Sequence, residues 1–118
     1  MPTATPTDFN GQNAIDGYGP GLFRIGGKVF HGPVVVDADR IQPWQGWDDH
    51  EPLQALAGRV DVLFLGMGEQ IAYAPRDLVQ LLDGLNIRVE PMASPAAART
   101  YNLTLSEGRR VACALLPL

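Results

Sequence analysis

Ser94-Pro-Ala-Ala-Ala-Arg-Thr-Tyr-Asn102 and Arg110-Val-Ala-Cys-Ala-Leu-Leu-Pro-Leu118 carry the clearest structural signal in the chain. The first stretch predicts a helix, because Ser94 is a good N-cap, Pro95 is favoured in a first turn, and small residues follow. The second stretch is apolar almost throughout and predicts a buried strand. Glu107-Gly108 lies between the two stretches and ends the helical pattern, so the sequence predicts a helix followed by a strand.

The same alternation is found upstream of this pair. Val60–Leu65 is apolar almost throughout and predicts a second buried strand, whereas Ile87–Glu90 alternates and predicts a strand with one exposed face. Between them, Pro75 opens a helix with one apolar stripe, made of Leu78, Val79, Leu81, Leu82 and Leu85. The order strand, helix, strand, helix, strand predicts at least three parallel strands joined by two right-handed crossovers.

The N-terminal half predicts two antiparallel hairpins. Their turns are Gly26-Gly27, which can take the positive φ angles of a tight hairpin, and Asp37-Ala-Asp39. The strands that flank these turns are Leu22–Ile25, Lys28–Phe30, Pro33–Val36 and Arg40–Gln42. Successive short strands with tight turns are typical of an antiparallel meander.

Two further segments complete the predicted order of elements. Gly17-Tyr-Gly-Pro-Gly21 has the composition of a phosphate loop, but it leads into a strand rather than a helix and predicts a wide turn. After the acidic residues that begin at Asp48, apolar residues recur at helical spacing from Leu53 to Val60 and predict a helix.

Length and composition place these elements in one domain. The chain has 118 residues, of which 46% are hydrophobic, and this is enough for a single core. Residues 1–8 are rich in Pro and Thr and predict a flexible N-terminus, and residues 9–118 are expected to form one domain. The predicted fold class is α/β, with a mixed sheet, N-terminal antiparallel hairpins and helices packed on the sheet.

Charge and composition argue against several functional classes. The net charge of −4 has the wrong sign for a general nucleic-acid binder. Cys113 has no disulfide partner and is expected to be a small buried residue, and His31 and His50 lack metal-ligand spacing, so no metal or cofactor is predicted. The sequence has no apolar run of about 20 residues, and its first residues do not predict a secretion signal. We therefore expect a cytoplasmic protein, with peripheral membrane association left open.

The cations are unevenly divided between the two basic residue types. There are eight Arg and a single Lys, Lys28. Either the codon usage of a GC-rich genome or the recognition of anions explains this bias, and the first is the simpler explanation.

A ligand site is predicted at the carboxyl ends of the parallel strands, where open α/β sheets bind ligands. Gly66-Met67-Gly68 follows a buried strand, and its backbone N–H groups are candidates to contact an anion. A turn that needs glycine for its φ angles explains the same motif without any ligand. The helix that starts at Ser94 would add the partial positive charge of its N-terminus to this edge.

Three polar residues of that helix are further candidates for the ligand site. Arg99 either faces the crevice or packs its stem on the sheet with a solvated head. Thr100 and Asn102 are poor choices for the middle of a helix, which indicates either specific hydrogen bonds or local bonds back to the helix.

Two tryptophans in the connector Pro43-Trp-Gln-Gly-Trp47 are candidates for the core or for a partner surface. We expect Trp44 to lie in the core and take Trp47 as the candidate partner-binding residue. The strand Ile87–Glu90, if its edge is exposed, offers a route to a homodimer.

Five motifs occur in order along the chain: Ile15-Asp-Gly-Tyr-Gly-Pro-Gly-Leu-Phe-Arg-Ile25, Gly32-Pro-Val-Val-Val36, Ile41-Gln-Pro-Trp44, Leu63-Phe-Leu-Gly-Met-Gly68, and Ala98-Arg-Thr-Tyr-Asn102 with Glu107-Gly-Arg-Arg-Val111. Together they resemble a family of small domains of unknown biochemical activity. This family includes the adipogenesis-associated domain-containing protein and the mitochondrial complex I (NADH:ubiquinone oxidoreductase) assembly factor 3. The motifs extend over almost all of residues 9–118.

The resemblance implies a compact α/β domain with a mixed sheet, in agreement with the prediction from the residues. It implies a site region at Gly66, Gly68, Arg99, Thr100 and Asn102, with Tyr18 as a weaker addition, and it supplies no catalytic residue. Because the mitochondrial member resembles a non-enzymatic assembly factor, the resemblance also implies a protein partner.

Two functional hypotheses follow. The first is a non-enzymatic protein-interaction or assembly-factor-like module, and by resemblance its target is a respiratory complex. The alternative is a module that binds a small anionic ligand, or an enzyme, with its site at the carboxyl ends of the parallel strands.

Overall fold

The computed structural model describes residues 11–69 and 73–118. The predicted flexible N-terminus, residues 1–8, lies outside the described residues. Within them the elements are, in order, β1 (Ile15–Gly19), β2 (Leu22–Ile25), β3 (Lys28–His31), β4 (Val34–Asp37), β5 (Ile41–Pro43), α1 (Glu51–Gln54), β6 (Val62–Gly66), α2 (Arg76–Asp83), β7 (Arg88–Met92), α3 (Ser94–Ser106) and β8 (Val111–Leu115).

The strands form two sheets. β1, β2 and β3 make a small antiparallel sheet. The larger sheet has the strand order β5-β4-β8-β6-β7, in which β8, β6 and β7 are parallel and β4 is antiparallel to both of its neighbours. The predicted α/β class with a mixed sheet and N-terminal hairpins is confirmed, and the predicted meander is divided between the two sheets.

Two helical crossovers build the parallel part of the larger sheet. α2 connects β6 to β7, and α3 then connects β7 to β8 on the other side of β6. The connections therefore move in opposite directions, and their helices pack in the two separate clusters on opposite faces of the sheet. Two crossovers of the same hand require this arrangement, as the sequence predicts.

The central strand β8 shows how both faces are covered. Val111, Cys113 and Leu115 face α3 and the small sheet, whereas Ala112 and Ala114 face α2. All five residues are at most 2% exposed. Burial on both faces explains why these strands are apolar almost throughout rather than alternating.

β1 corrects the predicted wide turn at residues 17–21. Gly17 and Gly19 belong to a strand, and the connection to β2 is Pro20-Gly21, with Gly21 at φ 74°. The strand has an irregular register between Ile15 and Gly17. Its glycines have no side chains that would reveal the period of two, so the sequence pattern conceals the strand.

α1 corrects the predicted helix from Leu53 to Val60. The helix spans only Glu51–Gln54, because the N–H of Leu56 donates to Leu53 O and that of Ala57 to Gln54 O, which makes tight turns. Gly58 follows at φ 78°. Leu53 and Leu56 are nevertheless buried, so the apolar pattern predicts the buried face correctly and the length wrongly.

Cys113 is fully buried in the centre of the larger sheet, as expected for a small apolar residue. Burial raises the pKa of the Cys113 thiol well above its usual value. In the unfolded chain the thiol ionises above about pH 8.5, whereas the folded protein keeps its proton. Because the folded state then binds more protons, folding stability falls as the pH rises through this value.

We expect the free energy of unfolding to fall by about 1.4 kcal/mol per pH unit above about pH 8.5 in urea titrations. Measurements between pH 7 and 9.5 stay below the midpoint of tyrosine titration in the unfolded chain, which lies near pH 10. The matched variant Cys113→Ala should lose this alkaline slope, although its smaller side chain lowers stability at every pH. Equal slopes for the two proteins would contradict the assignment to Cys113.

Candidate functional site

The carboxyl ends of β6, β7 and β8 meet at one edge of the larger sheet, at Gly66, Met92 and Leu115. α3 begins at this edge and packs tightly against Gly66. A Cβ atom at position 66 would lie 2.7 Å from Ser94 Oγ and 2.8 Å from Leu115 Cδ2. Glycine is required at 66 by the close approach of α3, whereas Gly68 has the positive φ, 90°, that a turn requires.

Ser94 is completely buried at this edge and joins three segments. Its Oγ accepts a hydrogen bond from the Gly68 N–H (2.9 Å) and donates one to Leu116 O (2.6 Å), while its own N–H donates to Gly68 O (2.8 Å). The prediction that Ser94 caps α3 is wrong, because the N-cap is Ala93 and the Ser94 hydroxyl makes no capping bond. The hydroxyl instead ties the Gly68 turn to the segment after β8.

Gly66, Gly68 and Ser94 are therefore brought together, as the ligand hypothesis expects. The Gly68 N–H already donates to Ser94 Oγ, and the Ser94 N–H already donates to Gly68 O. An anion that used the Gly68 N–H would have to displace Ser94 Oγ from it. The ligand site at this edge stays a prediction.

Asn102 attaches β1 to α3. Its Oδ1 accepts a hydrogen bond from the Ile15 N–H, and its Nδ2 donates one to Ile15 O, both at 2.8 Å. The side-chain amide thus pairs with the backbone of β1 as another strand would. Tyr101 adds a hydrogen bond from its hydroxyl to Asn13 O (2.5 Å). Of the two alternatives for Asn102, the structure shows specific long-range hydrogen bonds rather than local bonds to the helix.

The solvent side of α3 carries Arg99 and Leu103, which are one turn apart. Arg99 is exposed, and within the described residues its guanidinium has no hydrogen-bond or ion-pair partner. Leu103 is 61% exposed, a large fraction for a leucine. Thr100 is half-buried beside them, and its carbonyl accepts a hydrogen bond from Thr104 Oγ1 (2.8 Å).

β1 runs antiparallel to α3. Its first residue, Ile15, is bonded to Asn102 in the second half of the helix. The turn that follows β1 lies toward the N-terminal end of α3. There the Gly21 N–H donates to Leu118 O (3.1 Å). Leu118 belongs to the segment after β8 that passes the start of α3. The C-terminal part of β1 therefore lies along the first half of the helix.

Tyr18 lies in that part of β1, on the face of the small sheet that also carries Phe23. It pairs directly with Phe23, which is buried in the cluster that contains α3, and opposed residues share a face of the sheet. Tyr18 is 45% exposed. Arg99 lies about one turn before Asn102, the residue of α3 that binds β1. We call Tyr18, Arg99 and Leu103 together the α3 surface.

Trp47 lies on the other side of the larger sheet. Trp44 is buried, as expected, and its Nε1 donates a hydrogen bond to Asp49 O (2.9 Å). Trp47 is half-buried and packs edge-on against Trp44, with ring centroids 5.0 Å apart at 79°. Both rings belong to the cluster beneath α2. The role of Trp47 in binding a partner stays a prediction.

β7 forms one edge of the larger sheet, as the homodimer hypothesis requires. The strand contains Pro91, which has no N–H to donate, and an ion pair between Arg88 Nε and Glu90 Oε1 (2.9 Å). Proline and charged side chains are features that make an edge less able to pair with another strand. Dimerisation through β7 stays a prediction that these features do not favour.

A cleft of about 410 Å³ lies where β4 ends and β8 begins. This is the end of the larger sheet opposite to the carboxyl ends of β6, β7 and β8. Its charged lining consists of Asp37, Asp39, Arg59, Arg109 and Arg110. The sequence analysis does not single out these residues as a site, because they come from three separate segments. The excess of Arg over Lys is the signal in the sequence that points toward them.

In the part of the chain that the structure describes, no helix has the length and apolar character needed to cross a membrane. Over the same residues, 11–69 and 73–118, no group of three or more His, Cys, Asp or Glu side chains is placed to hold a metal ion.

Comparison with known proteins gives consistent matches. The family model described as "protein of unknown function (DUF498/DUF598)" matches residues 15–116. An uncharacterised protein of Rhodobacter capsulatus is 52% identical over 110 residues, which are 93% of this chain and 89% of that protein. The NADH dehydrogenase [ubiquinone] 1 alpha subcomplex assembly factor 3 of Danio rerio is 30% identical over 87% of this chain. A crystal structure of a Bordetella parapertussis protein has a TM-score of 0.81 at 27% identity and covers 99% of this chain and all of that one.

Proposed function

The chain belongs to the DUF498/DUF598 family of proteins of unknown function, and from this premise we propose that it is a non-enzymatic interaction module that assists the assembly of a respiratory complex. The α3 surface is the part of the molecule that contacts the partner. The partner is a subunit or an assembly intermediate of that complex.

The relatives provide one line of support. The Danio rerio protein that matches this chain is named as an assembly factor of an NADH dehydrogenase subcomplex. This chain spans 63% of the length of that protein, so the proposal concerns the domain that the two share. Proteins of similar fold and sequence can serve different functions, so the contact surface is inferred from the residues of this chain.

The α3 surface is the observation that carries the proposal. It combines an aromatic residue, an arginine and an aliphatic residue that are all exposed: Tyr18 at 45%, Arg99, and Leu103 at 61%. Tyr and Arg are enriched among the residues that dominate binding energy at protein interfaces. The two hydrogen bonds between Asn102 and Ile15 hold the two elements of this surface in a fixed relation, which lowers the entropy cost of binding.

Affinity purification of the tagged chain from its own organism tests the proposal, with respiratory-complex subunits quantified by mass spectrometry. We expect Leu103→Asp and Arg99→Glu to reduce their recovery by about tenfold or more, because interface anchors contribute about 2 kcal/mol each. Both side chains are exposed, so the fold should be retained, as circular dichroism would verify.

Val79→Asp is the matched control. Val79 is an exposed apolar residue on α2, on the other face of the larger sheet. It should leave the recovery of these subunits unchanged. If Val79→Asp lowers recovery as much as Leu103→Asp does, the α3 surface is not the contact site. If wild type recovers no respiratory subunit after crosslinking, the proposed function is wrong.

A further inference from the structure

The arginine-lined cleft is a separate feature from the α3 surface. It lies at the amino end of β8, and its walls include the turns at Gly58 and Gly108, which both have positive φ angles of about 80°. Its volume of about 410 Å³ is within the range of small-molecule sites in proteins. Gln12 and the apolar residues Ala38, Val60 and Val111 complete the lining.

Arginine is concentrated at this cleft. Arg59, Arg109 and Arg110 line it, and Arg40 lies beside it on Asp37, so four of the eight arginines in the chain meet here. The cleft lining contains three guanidinium groups against two carboxylates, whereas the whole chain has a net charge of −4. The cleft is therefore a local positive site in an acidic protein.

The carboxylate at the centre of this cluster, that of Asp37, accepts hydrogen bonds mainly from backbone N–H groups. Asp37 is 3% exposed, and its Oδ1 accepts hydrogen bonds from the N–H groups of Asp39 and Arg40, both at 2.8 Å. Arg59 reaches the same carboxylate only at 3.4 Å, longer than the 2.7–2.9 Å typical of a strong charge-assisted bond. Arg40 Nε is buried 3.9 Å from Asp37 and has no hydrogen-bond partner.

The remaining carboxylate of the lining holds Arg59 weakly. Asp39 is 80% exposed and lies 3.7 Å from Arg59. Arg110 is paired with Asp61 at 3.0 Å, and within residues 11–69 and 73–118 Arg109 has no carboxylate partner. The cleft thus contains more guanidinium donors than its carboxylates satisfy, and an added oxyanion would be attracted to the unsatisfied ones.

We propose that this cleft binds a small molecule through a phosphate group, which Arg59 and Arg109 contact from two different turns. A phosphate monoester carries a charge of about −1.5 to −2 at pH 7 and presents several acceptor oxygens, so it can accept from guanidinium groups that approach from separate directions. Asp39 is the exposed carboxylate that such a ligand would displace from Arg59. Asp37 remains in place, because the backbone N–H groups of Asp39 and Arg40 hold it.

The experiment is a titration with inorganic phosphate at constant ionic strength, followed by NMR of the arginine Nε–H groups and by calorimetry. We expect saturable shifts at Arg59 and Arg109 and an affinity in the millimolar range. Arg109→Ala should weaken binding about tenfold, since it removes one charge-assisted contact. Arg109 is exposed and unpaired within the described residues, so the variant should fold.

Arg24→Ala is the matched control, because Arg24 is an exposed arginine on β2, away from the cleft. It should leave phosphate binding unchanged. Equal weakening by Arg24→Ala would show a general charge effect and overturn the proposal, as would the lack of saturable shifts at Arg59 and Arg109. Malonate is the carboxylate probe at the same ionic strength, and an affinity equal to that of phosphate would overturn the assignment to a phosphate group.

Discussion

Gly66→Ala is expected to destabilise the protein by about 3 kcal/mol, at the upper end of the range for overpacking. The new Cβ would lie 2.7 Å from Ser94 Oγ and 2.9 Å from Ser94 Cα, so relief requires movement of the α3 backbone and not only of a side chain. Such a movement would also strain the hydrogen bonds between Ser94, Gly68 and Leu116. Urea unfolding, followed by circular dichroism, measures the change.

Gly84→Ala is the control for Gly66→Ala. Gly84 follows α2 with a helical φ of −62°, and a Cβ there would meet its nearest atom at 3.4 Å. This variant should be neutral or slightly more stable, because alanine restricts the unfolded chain. If Gly66→Ala retains wild-type stability, α3 does not approach β6 as closely as described.

Asn102→Ala is expected to cost about 2 kcal/mol, the second large effect. The substitution leaves both the N–H and the C=O of Ile15 without their partner, at a residue that is 6% exposed. The Ile15 amide should also exchange its hydrogen faster in native-state exchange, because β1 loses its attachment to α3. The measurements are urea unfolding and amide exchange by NMR.

Ser106→Ala provides the comparison on the same helix. Ser106 Oγ makes only a local hydrogen bond to Leu103 O at an exposed position, so its removal should change stability by less than about 0.5 kcal/mol. Wild-type stability and unchanged Ile15 exchange in Asn102→Ala would show that the Asn102 amide does not hold β1. Asn102 would then again be a candidate residue of the predicted ligand site.

Apolar patterns predicted most of the fold, because burial on both faces leaves a clear trace in the sequence. The continuous apolar run from Val60 became the buried strand β6. Of the predicted stripe, Leu78 and Leu82 form the buried face of α2, whereas Val79 is exposed. Gly26-Gly27 forms its hairpin with φ angles of 57° and 83°. In each case the local preference of the residues and their position in the fold favour the same secondary structure.

The remaining features depend on contacts that a linear pattern does not contain. Serine is a favoured N-cap residue, but the Ser94 hydroxyl is hydrogen-bonded to Gly68 and Leu116, which are 26 and 22 residues away. The strand around Gly17 has no side-chain alternation to read. The arginine cleft joins segments around residues 37, 59 and 109, and their convergence follows only from the strand order of the larger sheet.

Photo-crosslinking from the α3 surface in cells of the source organism tests the proposed function most directly. A photoreactive residue is placed at Leu103 in one variant and at Val79 in the other, and the captured proteins are identified by mass spectrometry. The proposal predicts that position 103 captures a respiratory-complex subunit, that position 79 does not, and that Arg99→Glu abolishes the capture. Capture of the same subunits from both positions, or of none from position 103, would contradict it.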